Sequence, residues 1–163
     1  MTSLTHFDDA GASRMVDVAI KPASDRSATA SGLLVMRSET LARIRVRDLA
    51  KGDVIGVARL AGIMAAKRTG ELIPLCHPIG LDAVSIDFTF VDETTLRIEA
   101  TARVLGRTGV EMEALTAVSV AALTVYDMCK AIDREITINS VRLEAKSGGR
   151  SGLYRRDLGI PTS

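Results

Sequence analysis

The chain has 163 residues, a length that suits one domain built around a single core. Its 21 basic and 20 acidic residues give a net charge of +1, which excludes attraction to nucleic acid or to a membrane by a general electrostatic field. Two cysteines exclude a disulfide framework, and no basic segment followed by an apolar one opens the chain, so a cytoplasmic location is expected.

The domain boundaries follow from where hydrophobic periodicity begins and ends. Residues 1–14 are polar and show no period, which predicts a flexible N-terminal lead-in. Residues 15–155 are expected to form one domain that carries the activity, and residues 156–163 a flexible C-terminal tail.

Two strands and two helices are predicted in the first part of the domain. Alternating and β-branched residues indicate strands in "MVDVAIK", residues 15–21, and "ATASGLLVMR", residues 28–37, separated by a turn near Pro22–Asp25. Ser38 is expected to be the N-cap of a short helix. A second helix from Asp53 to Lys67 begins with an acidic residue and ends with a basic one, as the helix dipole favours.

The second part of the domain contains a hairpin and a long helix. Period two over residues 84–104 predicts an antiparallel hairpin with its turn near Asp92–Thr94. Residues 111–132 are expected to form one helix that is apolar on all sides in its middle. Because charges close the apolar run before it reaches the roughly 20 residues of a membrane span, the helix is predicted to be buried, partly between subunits.

A last strand is predicted to start at Ile136. Its apolar phase changes near Asn139 and Ser140, which indicates a bulge, and this phase would put Lys146 on the face opposite to Leu143. Strands in mixed order, with helices between them, predict an α+β fold in which helices cover one face of an antiparallel sheet.

Cys76 and His77, in the segment "LIPLCHP", are the first candidates for chemistry. A structural zinc site needs four ligands at close spacing, and only Cys129 and His6 remain as further Cys or His ligands, so we expect no metal site and no cofactor. A buried cysteine beside an oriented histidine is the simpler interpretation. Pro74 and Pro78 stiffen this loop, which favours a role for the imidazole beyond packing.

Asp127 and Lys130 share one face near the end of the long helix. They are either a solvated surface pair or a pair held where a buried helix emerges into a cleft. In the second case the pKa of Lys130 is expected to be lowered, which would suit an acid or base.

A glycine-rich segment with two cations, "AKSGGRSG" at residues 145–152, is the third candidate. Its backbone can approach an anion closely, but it does not match the Walker A pattern, and a disordered end of the chain is the alternative. Further basic residues that would suit phosphate contact, or plain surface charge, are Lys21, Arg26, Lys51 and Lys67.

Several motifs resemble those of the cyclic pyranopterin monophosphate synthases, which act second in molybdenum cofactor biosynthesis. From Leu4 to Tyr154 the chain contains "MVDV", "MRSETL", "KGDV", "AAKRT", "LIPLCHP", "TGVEMEALTAVSVAALTVYDMCKA" and "KSGG". The resemblance implies a ferredoxin-like α+β fold, a homohexamer built as a trimer of dimers, and an active site at a subunit interface. It also implies the conversion of 3',8-cyclo-7,8-dihydroguanosine 5'-triphosphate to cyclic pyranopterin monophosphate with release of pyrophosphate.

The same resemblance implies roles for individual residues. Asp127, Lys130 and Lys51 correspond to the catalytic residues. The residues that correspond to substrate contacts are Leu75, Cys76, His77, Met112, Glu113 and Lys146. Arg150 departs from the family, in which a lysine is expected at that position, although either residue can contact a phosphate.

Two other classes of protein compete with this interpretation. A nucleotide-binding regulatory module would also need cations around glycine loops, but it would not need an Asp127–Lys130 pair. A metalloprotein using Cys76, His77 and Cys129 would be revealed by metal analysis.

Overall fold

One antiparallel sheet with helices packed on one face forms the fold. The structure is a computed structural model that describes residues 12–13, 15–47 and 52–157. Its elements in chain order are β1 (Ser24–Val35), α1 (Ser38–Arg45), α2 (Val54–Lys67), α3 (Thr69–Leu72), β2 (Ala83–Phe90), β3 (Thr95–Gly106), α4 (Glu111–Cys129), β4 (Thr137–Ser147) and β5 (Tyr154–Arg155). The strand order is β2-β3-β1-β4-β5 with every pairing antiparallel. The predicted α+β class is confirmed, and β1 to β4 follow a β-α-β-β-α-β order.

The core lies between the central strands and α4. Ala28, Ala30 and Leu34 of β1 alternate toward the helices and are at most 1% exposed. A side chain at Gly32 would bring its Cβ to 2.8 Å from Val118 Cγ1 of α4, so the missing side chain allows the helix to lie close to the sheet. This close approach sets the distance between α4 and the central strand.

Helix α4 is long and apolar enough to span a membrane by length and composition. In this fold it packs against α2 and the sheet instead, and Ala114, Val118 and Val125 are fully buried. At Gly62 of α2, an added Cβ would lie 2.8 Å from the Ala117 carbonyl, which shows how closely the two helices approach. The predicted burial is confirmed where α4 faces α2 and the sheet, and the predicted burial between subunits stays a prediction.

Two predictions near the N-terminus are wrong. Residues 15–21 form no strand; Lys21 N donates to Val18 O at 3.1 Å in a local turn, and β1 begins at Ser24. Ser38 is not the N-cap of α1. Arg37 occupies that position, and its side chain makes no capping hydrogen bond.

Other predicted boundaries agree with the structure or differ from it slightly. The predicted second helix begins one residue later, at Val54, because Asp53 caps it by accepting from Gly56 N at 2.9 Å. The predicted hairpin turn is present, and in it Asp92 accepts from Thr94 N at 2.7 Å. Helix α4 ends at Cys129 rather than at residue 132. The cause is a turn in which the amides of Ile132 and Asp133 both donate to Cys129 O.

Strand β4 contains two irregularities, of which only one was predicted. Its register shifts beside Ser140, which has φ of 54°, and this is the predicted bulge. A second shift occurs at Glu144, after which Lys146 lies opposite the buried Ala28. Lys146 therefore shares the helix-covered face with Leu143, and the predicted opposite facing is wrong because the extra residue reverses the alternation.

Candidate functional site

The loop that carries His77 is held on two sides. His77 Nε2 donates to Val16 O at 2.8 Å, because a carbonyl oxygen only accepts, and this contact assigns a proton to Nε2. Gly70 of α3 lies against the loop, where an added Cβ would be 3.1 Å from His77 O. The imidazole thus has a fixed orientation and a defined hydrogen-bonding character.

Glu113 lies in the first turn of α4 and is only 3% exposed. Burial, and to a lesser extent the charge of Glu111, raise the pKa of Glu113 to about 7, against the opposing effect of its own backbone N–H. Burial and the charge of Glu113 also raise the pKa of the Cys76 thiol. Cys76 therefore stays a thiol at neutral pH, which makes it a weak nucleophile and a weak metal ligand.

Lys146 joins this end of α4 through the second bulge of β4. Its Nζ lies 3.1 Å from Glu111 Oε1 and donates to Ser151 Oγ at 2.7 Å. Without the extra residue at Glu144, Lys146 would point to the opposite face of the sheet. The bulge thus places a cation at the start of α4, where it pairs with Glu111.

A cationic cavity of about 470 Å³ lies beside Lys146. None of the described residues in its lining is acidic; these are Lys21, Pro22, Ser24, Arg26, Arg107, Thr108, Gly109, Gly149, Arg150 and Ser151. Ser24 Oγ is buried without a hydrogen-bond partner in the described structure. Four cations and an unsatisfied hydroxyl suit a ligand that carries several negative charges.

Arg26 is oriented within this cavity by the backbone around it. Its Nε donates to Gly106 O at 2.9 Å, and its guanidinium packs against Gly149, where any side chain would overlap it. Gly148 and Gly149 have φ of 92° and 72°, a conformation that glycine adopts readily. The segment predicted as an anion loop therefore forms a defined turn that shapes the cavity wall.

Asp127 and Lys130 form an ion pair at the other end of α4. Lys130 Nζ lies 2.7 Å from Asp127 Oδ1, and the two side chains are 53% and 61% exposed, respectively. The hydrogen bond to Asp127, and then the charge of Asp127, raise the pKa of Lys130. The expected lowering of this pKa is wrong for the single chain, because the lysine is solvated and paired rather than buried.

The predicted site residues thus fall into two groups. Cys76 lies close enough to Glu113 for the charge of Glu113 to act on the thiol, and Lys146 pairs with Glu111, so all three lie near the start of α4. The stretch of helix from Glu113 to Asp127 is about 21 Å long, so the Asp127–Lys130 pair is remote from that group.

The remaining predicted positions add little to either group. Leu75 is half-buried in the loop, and Met112 is 37% exposed in the first turn of α4. Lys51 lies outside the described residues. No three His, Cys, Asp or Glu side chains meet to hold a metal in the part of the chain that the structure describes.

Arg107 is a site residue that sequence reasoning missed. It lines the cationic cavity from the connection between β3 and α4. The available signal was an arginine placed between Gly106 and Gly109, just before a helix begins. Such a connection brings both backbone amides and a cation toward an anion.

Replacing Glu113 by glutamine is expected to stabilise the protein at pH 8 and to change little at pH 4.5. The folded state holds a proton on Glu113 that the unfolded chain releases above its ordinary pKa of 4.5, so stability falls as the pH rises from 4.5 to about 7. The variant should gain about 3 kcal/mol at pH 8, measured by urea unfolding at both pH values. Glu71→Gln, at an exposed position, is the control. An equal gain at both pH values would contradict burial of a titrating carboxyl.

Known proteins are similar to nearly the whole chain. A family model described as the MoaC family matches residues 15–149. Cyclic pyranopterin monophosphate synthase 1 of Mycobacterium tuberculosis (strain ATCC 25618 / H37Rv) is 62% identical over 154 residues, which cover 94% of this chain and 91% of that protein. Cyclic pyranopterin monophosphate synthase of Roseiflexus sp. (strain RS-1) is 59% identical over 158 residues, covering 96% of this chain and 100% of that protein. The protein of that name from Heliobacterium modesticaldum is 56% identical over 159 residues, covering 96% and 99%.

Proposed function

The chain belongs to the MoaC family, and we propose from this membership that it is an enzyme of molybdenum cofactor biosynthesis that forms cyclic pyranopterin monophosphate. The observation that carries the proposal is the shared name of relatives that are 56% to 62% identical over at least 94% of the chain. The substrate is then 3',8-cyclo-7,8-dihydroguanosine 5'-triphosphate, the products are the cyclic monophosphate and pyrophosphate, and the enzyme works in the cytoplasm.

The cationic cavity supports a substrate with a triphosphate. Arg26, Arg107, Arg150 and Lys21 offer charge to phosphate oxygens, and no carboxylate in the lining opposes them. Closing the cyclic phosphate requires a ribose hydroxyl to attack the α-phosphorus, forming one P–O bond while the bond to pyrophosphate breaks. Cations around the leaving pyrophosphate stabilise the charge that develops on it.

The group of Cys76, His77 and Glu113 supports recognition of the base-derived ring. A guanine-derived ring presents N–H donors beside a carbonyl acceptor. The carboxylate of Glu113 accepts from such donors, and so does Nδ1 of a neutral His77. Lys146, paired with Glu111, lines a smaller cavity that shares Arg26, Gly109 and Ser151 with the cationic cavity, and it would contact the phosphate that joins the two parts of the substrate.

Lys130, Asp127 and Lys51 are the proposed catalytic residues. Opening the five-membered ring of the guanine and rebuilding a pterin needs repeated proton transfers, for which an amine paired with a carboxylate is suited. Since Lys130 and Asp127 lie about 21 Å along α4 from Glu113, a second subunit would have to supply them to the group at the start of that helix. We therefore propose an active site shared between subunits of a homohexamer arranged as a trimer of dimers.

The activity is tested directly with the purified protein and the cyclic dihydro-GTP. Cyclic pyranopterin monophosphate and pyrophosphate are expected in equal amounts, measured by chromatography and by a coupled pyrophosphate assay. Tight binding of the nucleotide without either product would favour a regulatory binding module instead.

A further inference from the structure

A buried carboxylate, Asp133, lies in the turn that follows α4. It is 1% exposed. Burial acts to raise its pKa, but hydrogen bonds from Arg37 N, Thr40 Oγ1 and Glu135 N outweigh this effect and hold the pKa of Asp133 below its ordinary value. These hydrogen bonds compensate the cost of burying the Asp133 charge, and removing them would destabilise the fold.

One oxygen of Asp133 caps α1 from a distant part of the chain. Oδ2 accepts from Arg37 N at 2.9 Å and from Thr40 Oγ1 at 3.0 Å. Helix α1 has no side-chain cap from its own N-cap residue, so Asp133 satisfies amide and hydroxyl donors that would otherwise be left unpaired. The turn after α4 is thereby joined to the start of α1.

The other contacts of Asp133 fix the turn itself. Its Oδ1 accepts from Glu135 N at 3.1 Å and lies 3.4 Å from Arg37 Nε. The guanidinium of Arg37 also donates to Ile132 O, and the amides of Ile132 and Asp133 close the turn on Cys129 O. Lys130 lies inside this closed turn, with its own amide donating to Tyr126 O at 2.8 Å.

We propose that Asp133 is a positioning residue for Lys130, an inference that rests on the proposed function. The Lys130 side chain is 53% exposed and contacts Asp127 alone among the ion pairs of the described chain, so packing does little to hold it. Its backbone, in contrast, lies in a turn that Asp133 ties to the start of α1. A proton-transfer group must be held to within about 0.5 Å of its working position, and this turn supplies that restraint.

The test compares Asp133→Asn with a matched control, Asp92→Asn. Both substitutions weaken a carboxylate that accepts backbone N–H groups in a turn, but Asp92 lies in the hairpin between β2 and β3. With the cyclic dihydro-GTP as substrate, Asp133→Asn should lower kcat about tenfold with little change in KM, because binding groups stay in place while the lysine does not. Asp92→Asn should leave kcat unchanged at temperatures below its unfolding transition.

A double-mutant cycle separates positioning from general damage. If Asp133 acts through Lys130, adding Asp133→Asn to Lys130→Ala should cost no further activity, whereas independent effects would multiply. Multiplying losses, or an Asp133→Asn enzyme with lowered stability and normal kcat, would overturn the proposal.

Hydrogen exchange gives a readout that needs no activity. The amides of Ile132 and Asp133 should exchange faster in Asp133→Asn and at the normal rate in Asp92→Asn; unchanged exchange would also overturn the proposal. If Asp133→Asn does not fold, Arg37→Ala replaces it as the test variant. It removes the guanidinium contacts of a side chain that is 56% exposed and keeps the backbone cap. Arg37→Ala should lower kcat and speed exchange of the Ile132 and Asp133 amides, as expected for Asp133→Asn. Failure of the wild-type protein to form product would instead count against the proposed function.

Discussion

Replacing Lys130 by alanine is expected to lower kcat about 100-fold or more while the protein stays folded. The side chain is 53% exposed and makes an ion pair with Asp127 at the end of α4, so its removal leaves no cavity in the core. Steady-state kinetics with the cyclic dihydro-GTP measure the loss, and circular dichroism with thermal unfolding shows that the fold is retained.

Lys130→Arg is the matched variant for the same position. Arginine keeps the positive charge and the pairing with Asp127, but it does not release its proton in the working pH range. If Lys130 transfers a proton, the arginine variant should be nearly as inactive as the alanine variant. An arginine variant with near-normal kcat would reduce Lys130 to a fixed charge, and an alanine variant with near-normal kcat would remove it from the mechanism.

Mixing two inactive variants is expected to restore about a quarter of wild-type activity. Lys130→Ala and His77→Ala subunits are unfolded, combined in equal amounts and refolded together. If one subunit supplies Lys130 and its neighbour supplies His77, each mixed dimer contains one site with both defects and one site with none. Random pairing makes half of the dimers mixed, which gives the expected fraction. The separation of about 21 Å along α4 between Glu113 and Asp127 is the physical reason to expect this division.

The matched control mixes Lys130→Ala with Asp127→Ala. These two residues form a direct ion pair in one chain, so every mixed dimer should still contain a defect in each site. Light scattering and mass spectrometry verify that subunits have mixed. Recovery in the control would show that refolding itself restores activity, and no recovery in properly mixed Lys130→Ala and His77→Ala oligomers would mean that one subunit supplies both residues.

The elements with a strong local pattern were predictable from the sequence. The predicted helix start near Asp53 and the predicted turn near Asp92–Thr94 depend on donors within three residues, since Asp53 accepts from Gly56 N and Asp92 accepts from Thr94 N and Thr95 N. The alternation of apolar and polar residues over 84–104 likewise predicted the hairpin. Short-range hydrogen bonds and side-chain periodicity depend on residues that are close together in the sequence, which is why these predictions succeeded.

The predictions that failed depend on distant partners. "MVDV" alternates like a strand, but no strand of the described chain pairs with it, and the Val16 carbonyl accepts from His77 instead. Ser38 has the chemistry of a cap, but the capping carboxylate comes from Asp133. The facing of Lys146 depends on a bulge at Glu144 that has no signature in the apolar pattern. None of these contacts is visible in a local window of sequence.

The sequence predicted which residues belong to the candidate site better than it predicted how those residues are arranged. Cys76, Glu113 and Lys146 were named from the resemblance, and the fold brings them to one end of α4. The predicted direction of the pKa shift of Lys130 was wrong. An Asp and a Lys three residues apart can form an exposed ion pair or lie in a buried site, and the sequence spacing is the same in both cases.

The partners of β1 and α1 come from the far end of the chain. Arg37 N reaches Asp133 across 96 positions, and the Ser31 hydroxyl reaches Glu144 across 113. A ribosome delivers the chain from its N-terminus, so the central strand of the sheet emerges long before β4, and α1 emerges long before its cap. Folding is therefore completed only after residues 137–147 have been made. A product that stops before Asp133 leaves one edge of β1 unpaired and α1 uncapped, which makes such incomplete chains of this protein targets for proteolysis and aggregation rather than partly active enzymes.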